Sequence, residues 1–371
     1  MKKITDVTDL RGKRVIVRAS LNVPLENGEI RNSFRLKRAL PTLRYLHEQG
    51  AKTIIIGHIG RKPEETLKPI YDELSKHFSM QWGGVVTSEE FTTRAGLITE
   101  GTFLMAENLR QDEREEANDE DFARQIAQFG DIYVNDAFAE AHREHASLSA
   151  LAKFLPAYAG LNLLQEVDHL KRVMVPEHPS LFMLGGAKFE TKMPLVEKYL
   201  DVYDHVFVGG ALANDVFKAL GYEVGTSLVS DASIAGAPFL KSTKLLIPTD
   251  VIVDGPRGVR TCAPQEVQTD EKILDCGTAT TDLLATYIEK AATVLWNGPL
   301  GNYEVGYEES TEETMRNLAK SKAFSVVGGG DTVAAIEKLG LNDSIGFVSI
   351  GGGAMLTYLE EGRTPVLDLL N

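Results

Sequence analysis

The stretch RVIVRASLNVPLENGEIRNSFRLKRALP, residues 14–41, sets the reading of the whole chain. Val15-Ile16-Val17 is a short alternating apolar run that predicts a strand emptying into the polar residues Arg18, Ser20 and Asn22. Pro24 and the pair Asn27-Gly28 punctuate a loop, after which Arg35 opens a helical pattern of Leu36, Leu40, Leu43 and Leu46. Strand, polar loop and helix make a βα unit, and ligands bind where the strands of such units end. An arginine at the start of that helix faces any anion held there.

The same unit recurs along the chain. In the first half the apolar runs are Val15–Val17, Thr53–Ile56, Phe103–Met105 and Ile132–Val134, leaving through Arg18, Gly57-His58, Glu107-Asn108 and Asn135-Asp136. In the second half they are Leu181–Leu184, His205–Val208, Leu245–Ile247, Thr293–Trp296, Phe324–Val327 and Phe347–Ile350, mostly leaving through glycines. Helical periodicity fills Asp282–Ala292, Thr311–Lys320 and Thr332–Leu339, the last closed by Gly340. The fold class that follows is α/β: two doubly wound parallel-sheet, Rossmann-like domains joined by a hinge helix. Pro156 and Gly160 break the pattern between the halves, and Leu161, Leu164, Val167 and Leu170 restore it as a helix. The expected division is therefore 1–155, a linking helix over 156–175, and 176–357.

Composition narrows the function. A chain of 371 residues exceeds one ordinary core. Its hydrophobic fraction of 43% and charged fraction of 25% are those of a globular protein. A formal charge of −14 argues against nucleic acid or an anionic membrane as partner, yet leaves room for a local basic cleft. Two cysteines, Cys262 and Cys276, lack zinc-site spacing and suit a reducing, cytoplasmic setting. No apolar run approaches the roughly 20 residues of a membrane span. The acidic run Asp112–Asp121 reads as a solvated helix start.

Basic residues stand at the strand ends of the first half: Arg18 and Arg35, His58 and Arg61, Arg110, then His142, Arg143 and His145. Arginine's planar fork suits the carboxylate and phosphate of a small phosphorylated acid. In Gly57-His58-Ile59-Gly60-Arg61 the glycines let backbone approach a ligand. His47, His77, His169, His178 and His205 read as ordinary hydrogen-bonding residues. The second half has no GxxxxGK[ST] loop. Instead, in LGGAKFETK, Lys188 and Lys192 are four apart after Gly185-Gly186 and project toward one anion. In VVGGGDTVAAIEKLG a strand, three glycines and then Asp331 and Thr332 open a helix whose amides suit phosphate, with Asp331 placed to hold Mg²⁺.

Taken in order, RASLNVP, FRLKRALPTLRYL, GHIGR, AENLR, NDAFAEAHREHAS, LGGAKFETK, WNGPLGNYE, GGGDT and SIGGGA resemble the phosphoglycerate kinase family over essentially the whole chain. The resemblance implies transfer of the γ-phosphoryl of Mg-ATP to the carboxylate of 3-phosphoglycerate, and in glycolysis the reverse, by hinge closure and charge neutralisation without a general base. It implies that Ser20, Asn22, Arg35, His58, Arg61, Arg110 and Arg143 meet the phosphoglycerate, Arg35 also reaching the transferring group. Lys188 and Lys192 would meet the nucleotide phosphates. Lys192 would be the main transition-state cation, assisted by the amides of Gly330 and of the turn around Gly352. Asp331 would hold Mg²⁺, Thr332 a phosphate oxygen and Glu304 the ribose. Gly186, Gly210, Ala211, Asn297, Pro299, Gly328 and Gly329 would complete the nucleotide site. A monomer is implied, as is a C-terminal tail, about 358–371, returning to the first domain.

The chain departs from the family pattern in places. Arg18-Ala19-Ser20-Leu21-Asn22 stands for the usual Arg-Val-Asp-Phe-Asn, removing a carboxylate expected to bond the substrate hydroxyl. Ile350 stands for a threonine, Met355 and Thr357 for a serine and a glutamate, and Gly277-Thr278-Ala279-Thr280 for Gly-Pro-Lys-Thr. Two function classes stay open on this evidence: an active kinase, and a non-catalytic anion- and nucleotide-binding protein on the same fold. On the first, Ser20→Asp is expected to lower the apparent KM for 3-phosphoglycerate.

Overall fold

The structure, a computed structural model, describes residues 1–370 except Lys188 and Ala232, and only the backbone of Glu190 and Thr191. The chain divides into two compact units, Met1–Asp168 with Glu361–Asn371, and His169–Glu360. The division falls inside a helix.

The first unit is built on β1 (Arg14–Ala19), β2 (Lys52–Ile56), β3 (Met80–Gly84), β4 (Phe103–Ala106), β5 (Ile132–Asp136) and β6 (Ala157–Ala159). They form one parallel sheet in the order β3-β4-β2-β1-β5-β6. Residues Val15 to Ala19 are all buried, so β1 is covered on both faces and reads as a continuous rather than an alternating run. The helix α1 (Phe34–Glu48) buries Leu36, Ala39, Leu40, Leu43 and Leu46, and the core of this unit gathers them with Val15, Val17 and Ile55. Each such Leu, Val or Ile side chain contributes about 1.5–3 kcal/mol by leaving water. Two strands of this sheet have no counterpart in the sequence reading: β3, whose MQWGG ends in glycines, and the three-residue edge strand β6.

The helix α2 (Leu161–Met174) begins where β5 ends. Asp136, the last residue of β5, accepts hydrogen bonds from the amides of Asn162 and Leu163 at 2.9 and 3.1 Å, and burial pushes its carboxyl up to about 7. The C-terminal segment belongs to this unit: Lys2 N donates to Leu370 O at 2.7 Å and Val366 N to Ala141 O at 3.4 Å. The acidic run is only partly solvated. Glu115 is fully buried and accepts from Ser147 N and Oγ at 2.9 and 2.6 Å.

The second unit carries β7 (Ser180–Leu184), β8 (His205–Val208) and β9 (Leu245–Leu246). It then departs from the expected series with an antiparallel sheet of β10 (Val251–Asp254), β11 (Arg260–Cys262) and β12 (Lys272–Cys276), β10 in the middle. The parallel sheet resumes with β13 (Thr293–Asn297), β14 (Phe324–Gly328) and β15 (Phe347–Val348), in the order β9-β8-β7-β13-β14-β15. Its helices include α3 (Phe189–Leu200), α4 (Ala211–Ala219), α5 (Thr278–Lys290), α6 (Gly330–Lys338) and α7 (Gly352–Glu361). Asp250 caps α5, accepting from Ala279 N and Thr280 N at 3.0 and 2.8 Å, so the altered Gly277–Thr280 stretch makes a regular helix start. Among the described residues no helix is long and apolar enough to cross a membrane.

Both parallel sheets reverse direction once. In the first unit β1 leads to one side and β5 to the other; in the second β7 and β13 do the same. The crevice beyond the carboxyl ends of those adjacent strands is where such sheets take ligands.

Candidate active site

At the crevice of the first unit, Arg18, the penultimate residue of β1, has no solvent exposure. Its Nε donates to Ser147 Oγ at 2.9 Å, its Nη1 to Ala19 O at 2.6 Å, and its Nη2 to His58 Nδ1 at 2.8 Å. Arginine only donates, so His58 Nδ1 accepts and the proton of the neutral ring sits on Nε2. His58 is neutral, because burial and then Arg18, Arg110, Arg143 and His145 drive its pKa far below the ordinary histidine value. Its Nε2 is buried with no partner among the described residues, a donor left for a ligand. His145 is lowered to about 4 by burial and the same arginines.

Arg110 donates to Gly60 O, pairs with Glu116 at 2.9 Å, and is lowered by burial. Asn22 ties two loops together, accepting from Gly60 N at 2.9 Å on its side chain and from Arg35 Nη1 at 2.6 Å on its carbonyl. Gly60 has φ +64, and a Cβ there would fall 1.8 Å from a Glu65 carboxylate oxygen. A glycine is therefore required here by the left-handed backbone and by the room the Glu65 carboxylate takes. Arg61 is exposed and is not among the groups that act on His58. The structure thus gathers His58, Arg110 and Arg143 with Arg18 and His145, ties Arg35 in through Asn22, and leaves Arg61 at the surface.

Ser20 does not offer its proton to the crevice. It is buried, and its Oγ donates to Glu140 Oε2 at 2.6 Å. The expected gain from Ser20→Asp is therefore reversed: the change would set a second carboxylate against Glu140, and like charges repel. Glu140 is the residue the sequence reading missed. The available signal was a carboxylate two residues before His142-Arg143, in a stretch read for its bases alone.

In the second unit the crevice is made of backbone. Gly186 N donates to Pro299 O at 2.8 Å, Gly210 N to Leu300 O at 3.0 Å, and Leu212 N to Gly186 O at 3.1 Å, lacing the exits of β7, β8 and β13 together. Gly210 has φ +59, and a Cβ there would lie 2.5 Å from Gly186 N. Lys192, on the first turns of α3, is buried and donates to Gly185 O at 2.5 Å. A Cβ on Gly186 or Gly298 would approach its Nζ to 2.9 Å, so glycines make room for the ammonium. Lys188 lies outside the described residues.

The glycine turns before α6 and α7 touch: a Cβ on Gly352 would be 3.0 Å from Gly329 Cα. The first amides of each helix, including those of Gly330 and Gly352, have no intrahelical acceptor and suit anions. Thr332, expected to hold a phosphate oxygen, has its hydroxyl occupied, donating to Gly328 O and accepting from Gly298 N, both at 3.1 Å. That hydroxyl braces the turn, while the Thr332 amide is one of the first of its helix. Asn297 is buried beneath, its Nδ2 donating to Met355 Sδ at 3.6 Å, and Ile350 is buried as well, so these altered positions fill core.

Beside these turns lies a cavity of about 390 Å³, lined by Gly186, Gly210, Ala211 and Pro299, by apolar Phe217, Leu228, Val251 and Leu300, and by Glu304 and Asp331. Part of its wall is β12, including Asp275, whose carboxyl burial pushes up to about 6. That wall was invisible to a reading that saw only βα units. Asp331 carries no hydrogen bond or ion pair among the described residues; burial and Glu304 raise its pKa, and Lys192 lowers it. No cluster of three metal-ligating side chains exists among the described residues. A lone unpaired carboxylate beside phosphate-binding amides fits Mg²⁺, which takes one or two carboxylates and completes its shell with phosphate oxygens and water.

The fold and these two crevices define a two-unit α/β protein with a cation-lined switch point in one unit and a glycine-turn switch point in the other. The family model described as phosphoglycerate kinase matches residues 4–362. Curated relatives named phosphoglycerate kinase include those of Rubrobacter xylanophilus, 40% identical over 98% of this chain and 96% of the relative, and Maricaulis maris, 38% identical with the same coverage. The solved phosphoglycerate kinase of Pyrococcus horikoshii matches with TM-score 0.90 at 29% identity over 100% of this chain and 98% of its own. That of Coxiella burnetii matches with TM-score 0.84 at 35% identity, covering 99% and 97%. The chain belongs to the phosphoglycerate kinase family.

Proposed function

We propose that the chain transfers the γ-phosphoryl group of ATP to the carboxylate of 3-phosphoglycerate, and in reverse makes ATP from 1,3-bisphosphoglycerate and ADP. In the forward direction a carboxylate oxygen forms a bond to the γ-phosphorus, the bond to the β–γ bridging oxygen breaks, and ADP leaves. The acceptor carboxylate is ionised at neutral pH, so no base is needed. The first unit supports this: the Nδ1 lone pair of its most buried histidine, His58, is taken by Arg18. Alignment and charge neutralisation remain as the sources of rate.

The observation that carries the reading is the partnerless donor His58 Nε2 set among Arg18, Arg110 and Arg143 at the first switch point. In this reading His58, Arg110 and Arg143, with Arg35, Arg61 and Asn22, hold the acid. Gly186, Gly210, Ala211, Pro299 and Glu304 shape the nucleoside pocket, and Lys192 with the amides at Gly329, Gly330 and Gly352 binds the phosphates. Asp331 would hold Mg²⁺, which supplies charge neutralisation on the phosphate oxygens. The same reading makes the protein a monomeric cytoplasmic enzyme without nucleic-acid or membrane partners, in keeping with its net charge of −14.

A coupled assay with ATP and 3-phosphoglycerate tests it. Turnover well above that of Lys192→Ala is expected, and turnover no higher than that variant's overturns it.

A further inference from the structure

We propose that Glu140 recognises the 2-hydroxyl of the acid substrate, with Ser20 as its positioning residue, and so makes the enzyme selective for a hydroxylated phospho acid. The proposal rests on the acid-binding role given above to the first unit.

The arginines of that crevice are donors only, and the neutral ring of His145 is part-exposed, so its lone pair is open to water. Arginine has no acceptor, and His58 has spent its one lone pair on Arg18. The carboxylate and phosphate of the acid are acceptors and are matched by these donors. The hydroxyl is the one group that brings a proton, and it needs an acceptor in return.

The neighbouring carboxylates are engaged elsewhere. Glu115 accepts from Ser147, Glu65 from the amides of Arg61 and Lys62, Glu107 from Thr66 and Leu67, and Asp136 from the start of α2. Glu116 pairs with Arg110 and is more than half exposed.

Asp136 also has an oxygen without a partner among the described residues, Oδ2, but burial pushes its carboxyl up to about 7 and the cation that acts on it is Arg38, whereas Glu140 acts on Arg110 of the crevice. Glu140 is 3% exposed, forms no ion pair among the described residues, and uses one oxygen, Oε2, to accept from Ser20. Its Oε1 has no partner among the described residues, while its charge acts on Arg110. It sits in the single helical turn Phe138–Glu140 directly after β5, and its carbonyl accepts from Arg143 N at 2.9 Å. One turn therefore sets both a cation of the crevice and its available acceptor. Ser20, leaving β1, fixes the carboxylate by donating its only hydroxyl proton to it.

A hydroxyl bonded to a buried carboxylate discriminates strongly, because an analogue without it leaves the acceptor desolvated and unmatched. The test compares kcat/KM for 3-phosphoglycerate with that for 3-phosphooxypropionate, which lacks only the hydroxyl. The wild type is expected to prefer the hydroxy acid. Glu140→Ala is expected to lower kcat/KM for 3-phosphoglycerate on the order of 10- to 100-fold while changing the deoxy acid by less than about threefold, with KM for ATP unchanged. Equal losses for both acids would mean a merely structural role and overturn the proposal. Should Glu140→Ala fail to melt cooperatively, Glu140→Leu, which has no acceptor, is read by the same ratio, and a ratio equal to the wild type's overturns it. Failure of the wild type to turn over 3-phosphoglycerate at all would instead overturn the acid-binding reading beneath it.

Discussion

At the switch point of the first unit, side chains from four strand exits, Arg18, His58, Arg110 and Arg143, are gathered around one buried ring, with Arg18 bonded to His58. At that of the second, the chain presents glycine turns, helix amides and the buried Lys192. The topology is the same in both sheets, with two neighbouring strands whose connections run opposite ways. What differs is the material. Side-chain cations can be placed to match the outline of one small acid. Backbone amides at helix starts match phosphate whatever it is attached to, and leave the adjoining cavity to read the rest.

This contrast predicts unequal consequences of comparable changes. The largest loss is expected from Lys192→Met, which keeps the chain length but removes the described cation at the glycine turns. The fall in kcat is on the order of 10²–10³-fold with KM for the acid nearly unchanged, in steady-state assays. A fall confined to KM for ATP would show that Lys192 binds the ground state only.

Gly210→Ala comes next, because φ +59 and the 2.5 Å approach to Gly186 N leave no room for a Cβ. At least a tenfold rise in KM for ATP is expected, with the acid's KM unchanged, and a backbone-built site cannot escape it. Arg110→Lys should be milder. It keeps the charge but loses the fork, costing about tenfold in kcat/KM for the acid. If Arg110→Lys proved worse than Lys192→Met, the contrast between a site of several cations and one built mainly of backbone would fail.

The smallest effect concerns protons. His58 stays neutral, and His145 titrates near 4. Their ring resonances should therefore stay put between about pH 5.5 and 8 in NMR titrations, where an ordinary histidine near 6.5 would move. The linkage has a definite sign. Unfolded, these rings take up protons below about 6.5, and folded they do not until lower pH. Their contribution to stability is thus full above about 6.5 and declines as pH falls toward 4. Movement of either resonance near pH 6.5 would contradict the neutral state of these two rings.

Much of the architecture was legible because parallel strands buried on both faces are apolar from end to end, as in Val15–Ala19 and Leu181–Leu184. The antiparallel sheet of β10, β11 and β12 was not, since short strands of mixed polarity such as Arg260–Cys262 carry little pattern of their own. Arg18, Arg110 and Arg143 were found by their common position after strands. Glu140 was not, because nothing in the order of residues says that it meets Ser20 across 120 positions.

The sequence by itself determined the repeated βα unit, its polar and glycine exits, and the chemistry those exits offer, because these follow from local periodicity and residue type. Only the tertiary structure decided how each group is spent. Ser20 and Thr332 have hydroxyl donors fully used inside the protein, His58 holds its proton on Nε2, and Glu140 keeps one oxygen in hand. Such assignments depend on which polar atoms are brought within 3 Å and shut off from water, and that is fixed by strand order and packing rather than by the neighbours along the chain.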